Sequence, residues 1–213
     1  MPAAPVLTEA QADALRELTN VAAGHGARAL STVLGGEKFG LWPPLSRRLD
    51  APQLTALLGG ARAPLTSLSV ELRGDVGGSM ILVFSDPHVQ TLTRRLVGAV
   101  GDGRLQTPEV ALRDAADGVF SAALDAVGKM AGLRVLHSVP LIGGGPAEMV
   151  ARMCLPGSEG WVLEAEIYAS PLSARLLLLP DEAGLRQLLG AALTLPEARR
   201  AEILRTALLF GGR

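Results

Sequence analysis

Shifting the chain by 97 positions lays its first half over its second. Ala14-Leu15-Arg16 falls on Ala111-Leu112-Arg113, Ala29 on Ala126, Gly35 on Gly132 and Pro43 on Pro140. The identities are sparse, but the order of elements repeats with them. Each half opens on a helical pattern, passes through strand-like segments and closes on an Asp-led helix. In the first half the strands are expected at 68–72 and 79–84 and the helix at 86–98. In the second they are expected at 161–168, 173–179 and 181–190. No Ser/Pro-rich or charged linker separates the halves. The expected architecture is therefore one pseudo-twofold α/β domain over 1–213, a largely antiparallel sheet packed against long helices. Repeat 1 runs from about 8 to 100, repeat 2 from about 105 to 195, and a C-terminal helix over 196–213. A duplicated chain supplies in cis the twofold that a dimer would supply, so a monomer is expected.

Local signals punctuate that plan. Thr8 or Glu9 starts the first helix, with Pro5 ahead of it, and Gly35-Gly36 stops it. Gly74-Asp75 and Gly77-Gly78 mark a hairpin between two strands. Thr107 is the N-cap of the second long helix and Pro108 its first residue. Gly143-Gly144-Gly145-Pro146 reads as a flexible loop.

Composition narrows the function. Hydrophobic residues make up 48% of the 213 residues and aromatic ones 3%, so Leu, Val and Ala must fill the core. A net charge of -1 gives no basic excess for nucleic acid. Cys154 is the single cysteine, which rules out an intrachain disulfide or a cysteine zinc cluster. The chain shows no signal-peptide pattern and no apolar run long enough to span a bilayer. A cytoplasmic location without membrane insertion is expected.

The chemistry concentrates in the first helix. At about 100° per residue, Asp13, Glu17, Asn20 and Gly24 fall within an arc of roughly 40–60°. Leu15, Leu18 and Ala22 lie on nearly the opposite side and should bury against the sheet, with the polar stripe looking outward. Gly24 and Gly26 each cost roughly 1 kcal/mol of helix stability relative to Ala. Gly24 continues the stripe and would let a partner backbone approach. Taken alone, such a stripe is the ordinary solvated face of a helix.

The joint pattern says more. Asp13, Glu17, Asn20 and Pro43 form D-x3-E-x2-N-x22-P, and residues 15–31 read LRELTNVAAGHGARALS. This resembles the signature helix of the CheC/CheX/FliY family, E-I-G-N-I-G-A-G-N-A-A-T-A-L-S, with Glu17, Asn20, Gly24, Ala27, Ala29, Leu30 and Ser31 in register. Residues 57–60, 74–80, 162–164 and 177–181 are also similar to the family. The resemblance implies a phosphatase that removes the phosphoryl group from an aspartate of CheY or a related receiver domain. Mg²⁺ is then held by the receiver's own acidic residues, and no cofactor by this chain. Asn20 would orient the attacking water, Glu17 would pair with the receiver's lysine, and Asp13 and Gly24 would be docking contacts. A carboxamide suits the first role because it both donates and accepts hydrogen bonds and is uncharged. Some members of the family dock the receptor deamidase CheD, so a CheD-like partner is the alternative reading.

The same positions in the second half hold Val110, Asp114, Asp117 and Pro140, and Ser121 replaces the stripe glycine. An ionised Asp only accepts hydrogen bonds and would repel an anionic phosphoryl group. Asp114 reaches one methylene less far than Glu. One working site, in the first half, is expected, with Asp114 and Asp117 a degenerate second site. The family often keeps its better site in the second repeat, so this is a departure.

Other groups carry less. His25 either flanks the first site or is a partly exposed helix residue. His88 and His137 read as structural or solvated, and three scattered histidines do not make a zinc site. The glycines at 74–78 lack the Lys-Ser/Thr ending of a phosphate loop. Arg47-Arg48 and Arg199-Arg200 read as surface charge.

Overall fold

A computed structural model describes residues 7–99, 107–157 and 159–193. The expected helix over 196–213 and the Arg199-Arg200 pair lie outside these residues. The chain begins with α1 (Glu9–Val33), opened by a capping box in which the Thr8 hydroxyl accepts from the Gln11 N–H and the Gln11 side chain accepts from the Thr8 N–H. Gly35 and Gly36 follow its end, both with positive φ. Next come β1 (Gly40–Leu41), β2 (Leu45–Leu49), α2 (Ala51–Leu57), β3 (Pro64–Gly74), β4 (Gly78–Ser85) and α3 (Asp86–Ala99). The second half repeats the order with α4 (Pro108–Ala131), β5 (Val135–His137), β6 (Leu141–Pro146), α5 (Ala147–Cys154), β7 (Gly160–Ala169), β8 (Leu172–Pro180) and α6 (Glu182–Leu193). Thr107 caps α4, and Pro108 stands in its first turn.

The strands form one sheet in the order β1-β7-β8-β4-β3-β5, with β2 also on β7 and β6 also on β3. Every pairing is antiparallel. The halves exchange their edges. β1 and β2 of the first half pair with β7 of the second, and β5 and β6 pair with β3 of the first. The centre is the ladder of β4 on β8, from Gly78 opposite Pro180 to Val83 opposite Arg175.

Helices cover both faces. α1, α3, α4 and α6 share the larger core with Leu68, Val70, Met80, Leu82, Leu163, Ile167 and Leu176. α2 and α5 lie on the other face over Ile81, Val83, Leu177 and Leu179. Leu15, Leu18 and Ala22 are fully buried, as their side of α1 requires. Burying each leucine is worth about 1.5–3 kcal/mol. α1 and α4 approach closely at Gly26, where a Cβ would lie 3.1 Å from Val119 Cγ1. The second face also carries a buried charge: Glu164 pairs with Arg175, which reaches Glu166 at 3.4 Å.

Two expectations need correction. Residues 143–145 are not a loop. They lie in β6, with Gly143, Gly144 and Gly145 opposite Ser67, Thr66 and Leu65 of β3. β3 is long enough to offer a pairing edge, and backbone hydrogen bonds to it fix a segment whose own side chains would not. The short helices α2 and α5 and the edge strands β1, β2, β5 and β6 also add to the simple helix–strands–helix plan.

Candidate active site

Gly24 fixes the direction in which the polar stripe points. A Cβ there would meet Leu41 Cδ1 at 3.8 Å, an ordinary contact. Asp13, Glu17 and Asn20 share that face of α1, so the stripe runs along the seam between α1 and the sheet edge formed by β1 and β2. Gly26, two residues on and about 200° round, faces α4 instead. The stripe is thus less outward than expected. Glu17, Asn20 and Gly24 are half-buried in the seam, and of the four only Asp13 is exposed. Pro43 is exposed on the turn that carries the chain from β1 to β2.

The stripe residues differ in what the protein already asks of them. Asp13 is ion-paired with Arg16 one turn along. Thr19, beside the stripe, is buried and donates its hydroxyl to the Leu15 carbonyl at 2.7 Å. Asn20 makes no side-chain hydrogen bond to another described residue. Its amide therefore has donor and acceptor groups to offer a bound molecule. His25 is exposed one residue beyond Gly24. Its proton affinity is lowered by burial first, then by the charges of Arg28 and Lys129. Among the described residues, no group of three or more His, Cys, Asp or Glu is placed to hold a metal ion.

The second half builds the same seam differently. Val110, Asp114 and Asp117 are exposed on α4, and Pro140 is buried where Pro43 is exposed. The helix–strand contact made by Gly24 and Leu41 is made here by Ser121 and His137, whose Oγ and Nε2 are 2.9 Å apart. His137 Nδ1 lies 2.8 Å from the Ser138 carbonyl and so carries the ring proton, and Ser121 donates to Nε2. The Phe120 ring packs edge-on to this histidine. A hydrogen-bonded pair thus fills the place where the first half has only a glycine against a leucine. This contact was not legible in the sequence, and neither was an aromatic pair at the first edge, Trp42 against Tyr168.

These features define a class: a pseudo-twofold α/β protein that carries a Glu–Asn pair on its first helix, in a seam at the sheet edge. No family model matches the chain. The CheY-P phosphatase CheC of Bacillus subtilis (strain 168) is 26% identical over 206 residues, covering 88% of this chain and 97% of that protein. FliY of Thermotoga maritima shares the fold with a TM-score of 0.68 at 17% identity, over 89% of this chain and 98% of its own. The chemotaxis protein CheX from Desulfovibrio desulfuricans does so with a TM-score of 0.55 at 15% identity, over 76% and 99%. In sequence the chain is similar to CheC, and in fold to FliY and CheX.

Proposed function

We propose that the chain is a phosphatase of a phosphorylated CheY-like response regulator and works through its first half. The observation that carries this reading is Asn20: a half-buried amide, on the face of α1 that borders the sheet edge, with no hydrogen bond inside the described protein. The likeness to a CheY-P phosphatase over 88% of the chain supports it. Asn20 enters beside the aspartyl phosphate, accepts a hydrogen bond from a water and aims its lone pair in line with the scissile P–O bond. Water attacks phosphorus, the aspartate carboxylate leaves, and inorganic phosphate is released. Glu17 reaches the receiver's lysine and fixes the docking angle, with Asp13 and Gly24 as further contacts. Mg²⁺ belongs to the receiver's acidic site. Positioning supplies the acceleration, as it does for the water-orienting glutamine of GTPases. The test is the decay of a receiver phosphorylated with acetyl phosphate, with and without this protein. Acceleration that disappears with Asn20→Ala supports the reading, and unchanged decay overturns it.

A second reading, docking of a CheD-like deamidase, is favoured by one observation. The second half has Asp117 where the first has the amide of Asn20, and Val110, Asp114 and Asp117 are exposed on α4. A stable complex that is insensitive to Asn20→Ala would support it.

A further inference from the structure

We infer that β6 is the pairing edge of a homodimer, in which two copies of this chain join β6 to β6 and extend one continuous sheet. The inference rests on the sheet edges and is independent of the phosphatase reading. The two ends of the sheet are related by the duplication but are not alike. At the first, β2 pairs only with β7 and carries Arg47 and Arg48, both exposed, with Arg48 3.1 Å from Glu159. Charge of that kind keeps another strand from adding to an edge. At the second, β6 pairs only with β3, and its residues, 141–146, read LIGGGP without a charge. The duplication that made a monomer the expectation therefore does not extend to these edges.

Among the described residues, no strand pairs with the outer side of β6. The Ala147 N–H donates to the Ala63 carbonyl at 2.9 Å, in register with Pro146 opposite Pro64. Strand alternation then turns the backbone groups of Leu141, Gly143 and Gly145 toward β3 and those of Ile142 and Gly144 outward. Large apolar side chains gather at the same edge. Leu141 is 68% exposed, Val139 69%, Met149 45% and Met153 72%. Met149 of α5 lies over Gly145, where its Cε leaves no room for a Cβ, and Met153 follows one turn along the helix.

A second copy is the occupant that this strand fits. Its bulk stands at one end and its glycines at the other, so a copy turned antiparallel sets bulk against space. With Gly143 on the twofold axis, Ile142 of each copy faces Gly144 of the other, and their outward N–H groups meet outward carbonyls. Leu141, on the same face as Gly143 and Gly145, then lies beside the other copy's Gly145 and against its Met149. The interface is isologous. Because arginines guard the β2 edge, the sheet closes at two copies instead of growing into a fibre.

Sedimentation velocity of the full chain, at concentrations up to about 100 µM, should show a monomer–dimer equilibrium. Leu141→Arg, at an exposed position, should weaken the dimer about tenfold or more and leave the thermal melt unchanged. Cysteine pairing in a Cys154→Ser background reads the register. A Cβ at Gly143 meets only Ser67 Oγ, at 3.4 Å, so the strand accepts a side chain there. Gly143→Cys should form a disulfide between copies, because facing residues of a non-hydrogen-bonded pair have Cα atoms about 4.5 Å apart. Leu141→Cys should not, because the two copies of that residue stand about 14 Å apart along the strands. A monomer at every concentration overturns the dimer, and so does a dimer that Gly143→Cys leaves without a cross-link. A monomer that binds a purified CheD-like deamidase, and loses it with Leu141→Arg, would overturn the dimer and give the edge to that partner.

Discussion

Asn20→Ala separates catalysis from stability, because the two should move in opposite directions. Asn20 sits in the middle of the 25-residue α1 and is half-buried, with no side-chain hydrogen bond to a described residue. Removing it breaks no bond within the described fold and opens no core cavity. Alanine is the better helix former by about 0.5–0.7 kcal/mol. For a domain of this size that corresponds to a rise in Tm of about 1–2 °C. The catalytic effect runs the other way. A methyl group neither accepts from water nor donates to phosphate, and losing a positioned polar group of this kind costs roughly 10²–10³ in rate. The assays are a thermal melt followed by circular dichroism and single-turnover decay of the phosphorylated receiver. A fall in Tm of several degrees would show that the amide holds structure and is not available to a substrate. Retained activity would remove Asn20 from the chemistry altogether.

Four more outcomes are expected. Asp117→Ala should leave the phosphatase rate within about twofold, because an ionised carboxylate cannot donate to the phosphoryl oxygens. A large loss in the same decay assay would assign chemistry to the second half. Gly26→Leu should cost about 1–3 kcal/mol in urea unfolding, because even a Cβ there would stand 3.1 Å from Val119 Cγ1. His25 should make stability pH-dependent, since its folded pKa is lowered below the ordinary 6.5 by burial, Arg28 and Lys129. The unfolded chain then binds the proton more readily, so stability falls as pH drops through 6.5 and levels off below the folded value. Urea midpoints at pH 5 and 8 should differ less in His25→Gln than in the wild type. Burial raises the Cys154 thiol to about 11, so a disulfide reagent at pH 8 should label it slowly in the folded chain and quickly in urea.

What the sequence made legible was local or periodic. The caps at Thr8 and Thr107, the buried side of α1 and the hairpin glycines before β4 all follow from residues within a turn or two of one another. The glycines at 143–145 misled because their strand character comes from β3, more than 70 residues away, and not from their own propensity. α2 and α5 span 7 and 8 residues, too short for a helical period to stand out. The Ser121–His137 bond was hidden by a slip in register. The 97-residue offset sets His137 over Gly40, yet it is Leu41 that touches the first helix as His137 touches the second. Trp42 and Tyr168 lie in different halves and meet only because the halves exchange edges.

That exchange also bears on why the two stripes could diverge. Each half's edge strands are paired with a strand of the other half, so neither half has a complete sheet of its own. The sheet ladders and the α1–α4 packing at Gly26 hold the halves together through backbone and apolar contacts. Asp114 and Asp117 are exposed, and a change at either costs the shared core little. The fold therefore tolerates either an amide or a carboxylate at position 117. In the second seam Ser121 and His137 make a bond of their own, while the first seam has a glycine against a leucine. A duplicated fold with crossed edges can in this way keep two structurally equivalent seams while their helix stripes carry different side chains.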